Sequence, residues 1–318
     1  MKIIYNKIFL EHDTGMHPEN RKRLESLGKL LETDVINGEK YLGLMHTKKY
    51  IEHVKKYCSE SKPLDRDTFT SKKSYQAAIY AVGATIMASE SNDFALVRPP
   101  GHHAFPEESS GFCIFNNIAI AVKKLVDEGK RVLIVDFDSH LGDGTVKFFY
   151  DTDRVLYWSI HQYPAFPGGG YVNEIGEGKG KGYTICVPLP PGSGDEIFAD
   201  AIESFLPVAL QFKPDVVACS AGFDGHHYDL LLDLRYSLAA YYKLGKILGK
   251  NFDNIFATLE GGYNIEMFPK CLKNFIAGVN GEKLPYGERA TDSRIIAINE
   301  FEVRRIELEK NLRQFWKI

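Results

Sequence analysis

Seven short apolar runs in this chain do not alternate polar with apolar residues. They lie near residues 3–8, 94–97, 131–137, 155–160, 183–188, 215–220 and 255–259, and are dense in Val, Ile, Leu, Phe or Tyr. A strand with one wet face alternates; a run that does not is buried on both faces, as in parallel sheets. Helical spacing fills the segments between them, over 18–32, 47–58, 72–91, 115–129, 194–212, 235–250 and 265–279. Pro18 suits the first turn of the first of these. This alternation predicts an α/β fold: one domain over 1–318, three-layered, with an open, mostly parallel sheet and helices on both faces. Residues from about 290 to 318 read as a helical extension packed on that domain, with Phe301–Leu308 as a solvated final helix.

Composition narrows the class. The 318 residues are 44% hydrophobic and 25% charged, enough for one large core. The formal charge of −3 lacks the basic excess of a nucleic-acid binder. The five cysteines (58, 113, 186, 219, 271) are scattered, with no CxxC pair, so a reducing setting is expected. The N-terminal residues do not read as a signal peptide, and no apolar stretch is long enough for a membrane span. The expectation is a cytoplasmic protein, monomer or small homo-oligomer, with neither nucleic acid nor membrane as partner.

Polar residues collect where the apolar runs finish. The run Arg131–Val135 closes in Asp136-Phe137-Asp138-Ser139-His140, three ligand-type side chains at every second residue. Strand alternation would aim all three the same way, and such donors suit a divalent metal such as zinc. Other runs end in Gly101-His102-His103-Ala104, in Ala221-Gly222-Phe223-Asp224 and in Glu260-Gly261-Gly262-Tyr263. Ligands of open α/β sheets bind beyond the carboxyl ends of the strands, so these endings would converge. Asp138, His140 and Asp224 supply three metal ligands and leave a position for water. His102 and His103 supply general bases, which Asp136 and Asp143 could orient. Tyr263 could donate a hydrogen bond to a developing oxyanion. The set describes metal-assisted hydrolysis of an acyl bond.

The segments GHHA, SGFC, DFDSH, GDGT, AGFD and EGGYN, in that order, resemble the zinc-dependent histone deacetylase superfamily, which includes acetylpolyamine amidohydrolases and acetoin-utilisation proteins. The resemblance runs from about His17-Pro18-Glu19 to Asn264 and implies an arginase/deacetylase-type fold. It implies Asp138, His140 and Asp224 as zinc ligands and His103 as general base. His102 would be an electrostatic partner, with Asp136 paired to His102 and Asp143 to His103. Tyr263 would polarise the substrate carbonyl. Phe112, beside Gly111, and Phe166 match the walls of an acyl-lysine tunnel. Asp67 matches a residue that holds the substrate backbone, and Arg23 one that lines an inner cavity. Asp136, Asp138, His140, Ser159 and Ile160 match a structural potassium site, mostly through backbone oxygens.

The chain also departs from the family. Leu141 follows His140 where most members have a second histidine. Gly225-His226-His227-Tyr228-Asp229-Leu230-Leu231 replaces the usual Gly-Asp-Pro-Leu-Gly, and His226 and His227 match no family role. Leu231 stands where a polyamine-selective relative carries a glutamate, and the segment 57–67 is short. His12, His17, His46, His53 and His161 read as structural. The expected activity is a zinc-dependent deacylase, with iron able to replace zinc at a site of two carboxylates and one imidazole. Its substrate would be an acylated amine, either acetyl-lysine-like or a small acetylated amine. An acetylpolyamine amidohydrolase, a binuclear-manganese ureohydrolase and a non-catalytic acyl-lysine binder are the alternatives.

Overall fold

The computed structural model describes residues 1–318. Seven strands form one sheet: β1 (Ile3–Ile4), β2 (Phe94–Ala95), β3 (Val132–Asp136), β4 (Val155–Gln162), β5 (Thr184–Leu189), β6 (Val216–Ala221) and β7 (Ile255–Leu259). Their order is β1-β2-β7-β6-β3-β4-β5, and every pairing is parallel. Central β3 pairs Val132 with Val155 on one side and with Val216 on the other. All its residues are buried, as are those of β4 to β7, which is why none of these runs alternates.

The longer helices are α2 (Lys48–Ser59), α3 (Ser74–Ser91), α4 (Asn117–Asp127), α6 (Asp195–Phe212), α7 (Leu238–Asn251), α8 (Phe268–Val279) and α9 (Ile295–Leu312), with short α1 (Lys22–Glu25) and α5 (Asp143–Phe149). Helices α3, α4 and α5 form one packed group on the sheet; α6 to α9 form the other, with α9 against β5. Buried side chains surround α3, an arrangement suited to a helix enclosed between neighbours. No helix is long and apolar enough to cross a membrane.

Four expectations change. The helix foreseen over 18–32 shrinks to α1, because the Asn20 side chain accepts the Lys22 N–H and Gly28 turns left-handed at φ +77°. The first run yields only a two-residue strand, since Asn6 accepts the Ile8 N–H and starts a 3₁₀ turn. Helix α5 has too few apolar residues for its period to be legible. The final helix is not solvated all round: Ala297, Phe301, Arg304, Leu308 and Leu312 are buried along one side.

Candidate active site

The carboxyl ends of β3, β6 and β7 and the segment after β2 bring the sequence-derived residues together. Strand β3 stops at Asp136, so alternation does not carry on to His140. The chain turns there instead. Asp136 faces His102 and Tyr157, whereas Asp138 and His140 face Asp224 from the end of β6.

His140 Nδ1 lies 3.2 Å from Asp138 Oδ1 and 2.7 Å from Asp224 Oδ2. Ligand atoms of the three residues all lie within 4.8 Å of one another. Asp224 Oδ2 is buried and makes no hydrogen bond, despite its closeness to His140. A buried carboxylate oxygen without a donor is costly. Its position beside an imidazole nitrogen and a second carboxylate fits a divalent cation. Burial opposes charge on His140, but Asp138 and Asp224 raise it to about 10. Asp138 Oδ2 is seated on the Gly261 N–H at 2.7 Å. A Cβ at Gly222 or Gly261 would lie 2.2 or 2.5 Å from that oxygen, so both positions require glycine.

The two histidines beside this triad differ. His103 Nδ1 is 2.8 Å from Asp143 Oδ1, and His102 Nδ1 is 3.2 Å from Asp136 Oδ2. Burial and the neighbouring His102 lower His103 to about 4, against the pull of Asp143, leaving it neutral. For His102, burial opposes charge, but the carboxylates of Asp138, Asp136 and Glu260 hold it well above its usual value. The two neighbouring imidazoles are thus shifted in opposite directions. Burial also raises the Tyr263 phenol well above its usual value, so it keeps its proton.

A cavity of about 240 Å³ is lined by Asp67, His103, Gly111, Phe112, His140, Phe166, Leu231 and Tyr263. Phe166 lies edge-on to His103, with ring centroids 5.1 Å apart, and Phe112 edge-on to Tyr263 at 5.9 Å. Phe112 holds φ +70°. A left-handed conformation of this kind costs a non-glycine residue about 1–3 kcal/mol. Gly111 packs where a Cβ would lie 2.5 Å from the His103 ring. A larger cavity, about 580 Å³, is lined by Phe105, Leu141, Asp143, Val146 and Glu174 among others, and not by Tyr263. Of the five potassium-matching residues, Asp136 pairs with Ser159 across β3 and β4, and Ile160 follows Ser159 within β4.

Sequence reasoning missed several supports. Glu260 Oε2 accepts the N–H groups of Gly101 (2.7 Å) and His102 (3.1 Å). Tyr157 donates to Asp136 Oδ2 at 2.9 Å. Asp229 accepts from the Tyr263 and Asn264 backbone, and His17 lies edge-on to Phe112 at 4.4 Å. Glu260 stands inside a motif already noted; Asp229 carried no signal beyond an unusual segment. Arg23 is fully buried beneath the Tyr263 loop. It donates to Gly262 O (2.7 Å), Glu260 O (2.6 Å) and Glu19 (3.2 Å). His226 and His227 lie at Glu288, 3.0 and 3.6 Å away, and not at the triad.

Fold and site define an α/β protein whose acid–base groups surround a cation-ready triad. Residues 17–279 match the family described as "Histone deacetylase domain". The chain belongs to this histone deacetylase domain family. It is 37% identical to a "Probable deacetylase" of Archaeoglobus fulgidus over 83% of this chain and 81% of the relative. It is 33% identical to a "Probable deacetylase" of Methanothermobacter thermautotrophicus over 89% of this chain and 92% of that one. Among solved structures, "Crystal Structure of HDA15 HD domain" aligns with a TM-score of 0.88 at 29% identity, covering 99% of this chain and 97% of that one.

Proposed function

We propose that this protein is a zinc-dependent deacylase that hydrolyses the amide of an acylated amine. The observation that carries the reading is that neutral His103, ligand-type His140 and the Tyr263 phenol line one narrow cavity. Asp138, His140 and Asp224 would hold the metal, which when bound supplies a Lewis acid for the acyl carbonyl and makes water more acidic. Backbone oxygens around Asp136, Asp138, His140, Ser159 and Ile160 would hold a structural potassium ion.

The chain's own groups account for the proton movements. His103, held by Asp143, takes a proton from water as the oxygen attacks the acyl carbon. Tyr263 donates to the carbonyl oxygen as it gains charge. His103 then returns the proton to the amine nitrogen as the C–N bond breaks. Charged His102 adds a fixed positive potential without exchanging the proton. Phe112 and Phe166 would flank the methylene stem.

An acyl-lysine-like substrate is favoured because Leu231 offers no charge at the rim to hold a distal ammonium. The second reading, an acetylpolyamine amidohydrolase, draws on Asp67, an exposed carboxylate on the same cavity. The test is a turnover screen of acetyl-lysine peptides against acetylated putrescine and spermidine, with metal analysis of the same protein. One divalent ion per chain and turnover are expected, with Asp224→Ala losing both. Full metal content in Asp224→Ala, or no hydrolysis by metal-loaded protein, overturns the assignment. A preference for polyamines that weakens in Asp67→Asn selects the second reading.

A further inference from the structure

The segment joining β4 to β5 carries Phe166, the half-exposed wall of the cavity. Around Phe166 it has no regular structure, and Gly168 and Gly170 take left-handed φ values of +102° and +83°. A loop of this kind relies on anchoring contacts to hold an aromatic ring in place. His161 supplies one, donating through Nε2 to Gly170 O at 3.0 Å. Glu174 supplies another from within the loop, accepting the Gly170 and Tyr171 N–H groups at 2.8 and 3.0 Å, and the Tyr163 N–H donates to Leu189 O at 2.8 Å. Further anchors come from α9, which lies beyond the residues matched by the family.

Arg304 of α9 is only 5% exposed. Its Nη1 donates to Tyr163 O at 2.8 Å and to Pro188 O at 3.1 Å. The guanidinium carbon lies 5.5 Å from the Tyr163 ring centroid and 5.9 Å from that of Tyr171, within cation–π range of both. Asn311, two turns further along α9, donates to Val172 O at 2.9 Å. One helix therefore grips the loop on both sides of Phe166. Burying a guanidinium is costly unless its donors are used. Here its one carboxylate partner, Glu300, is on its own helix, and its backbone partners are Tyr163 in the loop and Pro188 in β5.

We propose that Arg304, supported by Asn311, is a positioning residue that sets the Phe166 wall and thereby the fit of the substrate's methylene stem. The proposal rests on the reading of this cavity as the acyl-amine site. Neither residue touches substrate, so the effect reaches catalysis through Phe166 alone. Ground-state contact with the stem is the same before and during reaction, and its loss raises KM while kcat holds.

The test compares wild type, Arg304→Met, Arg304→Lys and Asn311→Ala as full-length, metal-loaded protein. Two substrates are used: an acetyl-lysine peptide, and a small activated acetate ester without a stem to lie against Phe166. For Arg304→Met, KM for the peptide should rise about tenfold with kcat within about threefold, the pattern of lost uniform binding. Ester hydrolysis and metal content should stay unchanged. Arg304→Lys, which keeps a donor for Tyr163 O, should recover part of the loss, and Asn311→Ala should shift KM in the same direction. Asn311→Ala keeps the test decisive if Arg304→Met does not fold. Unchanged peptide KM in the variants that fold overturns the inference, as does an equal loss on peptide and ester. If wild-type protein hydrolyses neither substrate, the functional reading itself falls, and that outcome is distinct from a variant matching an active wild type.

Discussion

Asp229 Oδ2 accepts the backbone N–H of Tyr263 at 2.6 Å, and that of Asn264 at 2.9 Å. A buried carboxylate thus fixes the loop that presents the phenol to the cavity. Burial, then the charge of Asp224, raises Asp229 to about 6 despite those donors. Asp229→Ala would leave two N–H groups without their acceptor, at about 1–3 kcal/mol for each that stays buried. Lower stability is expected, together with about a tenfold fall in kcat at unchanged metal content, since the phenol loses its setting. Urea unfolding and steady-state kinetics check both; wild-type kcat in a destabilised variant would show that Asp229 serves folding alone.

His103 and His102 should respond differently to truncation. Removing a general base costs about 10²–10⁴ in rate. His103→Ala should keep its metal and lose activity to that extent, with His102→Ala losing less. The reverse order, with metal intact in both, would exchange the two roles. Because burial and His102 lower His103 to about 4, the acid limb of kcat/KM should fall below the ordinary histidine value of 6.5.

Tyr263→Phe isolates the phenol. Its hydrogen bond strengthens as the carbonyl oxygen gains charge, so it acts on the transition state more than on binding. A fall in kcat of about 10²–10³ is expected, with little change in KM. Near-normal kcat would mean that the remaining groups stabilise the oxyanion without it.

Glu260 ties stability to pH. Burial raises it from 4.5 to about 7, against the opposing pull of His102 and the Gly101 N–H. The folded state therefore holds this proton more tightly than the unfolded chain does. Unfolding between about pH 4.5 and 7 releases the proton, so Glu260's contribution to stability declines as pH rises through that window and is flat above it. Glu260→Gln keeps a carbonyl oxygen for the Gly101 and His102 N–H groups but cannot ionise. The stability difference between pH 5 and pH 8, measured by urea unfolding, should be smaller in Glu260→Gln than in wild type. Equal differences would remove Glu260 from the pH response.

Much of this molecule is local and therefore legible in sequence. Runs such as Val132–Val135 are apolar on both faces, and that pattern is enough to indicate a covered parallel strand. Asp138 and His140 lie two residues apart, and Asp224 closes another strand of the same kind, so ligand chemistry stands out before any folding. Where the sequence misled, a side chain competed with the backbone, as when Asn20 and Gly28 cut the foreseen first helix down to α1. Only the tertiary structure decides the partnerships made at long range. Glu260 meets His102 across 158 positions, Arg304 meets Tyr163 across 141, and Asp229 meets Tyr263 across 34. A carboxylate or a guanidinium looks the same in sequence whether it faces water or a buried amide. The cost of burial, and the partner that offsets it, exist only once the sheet has brought the strand ends together.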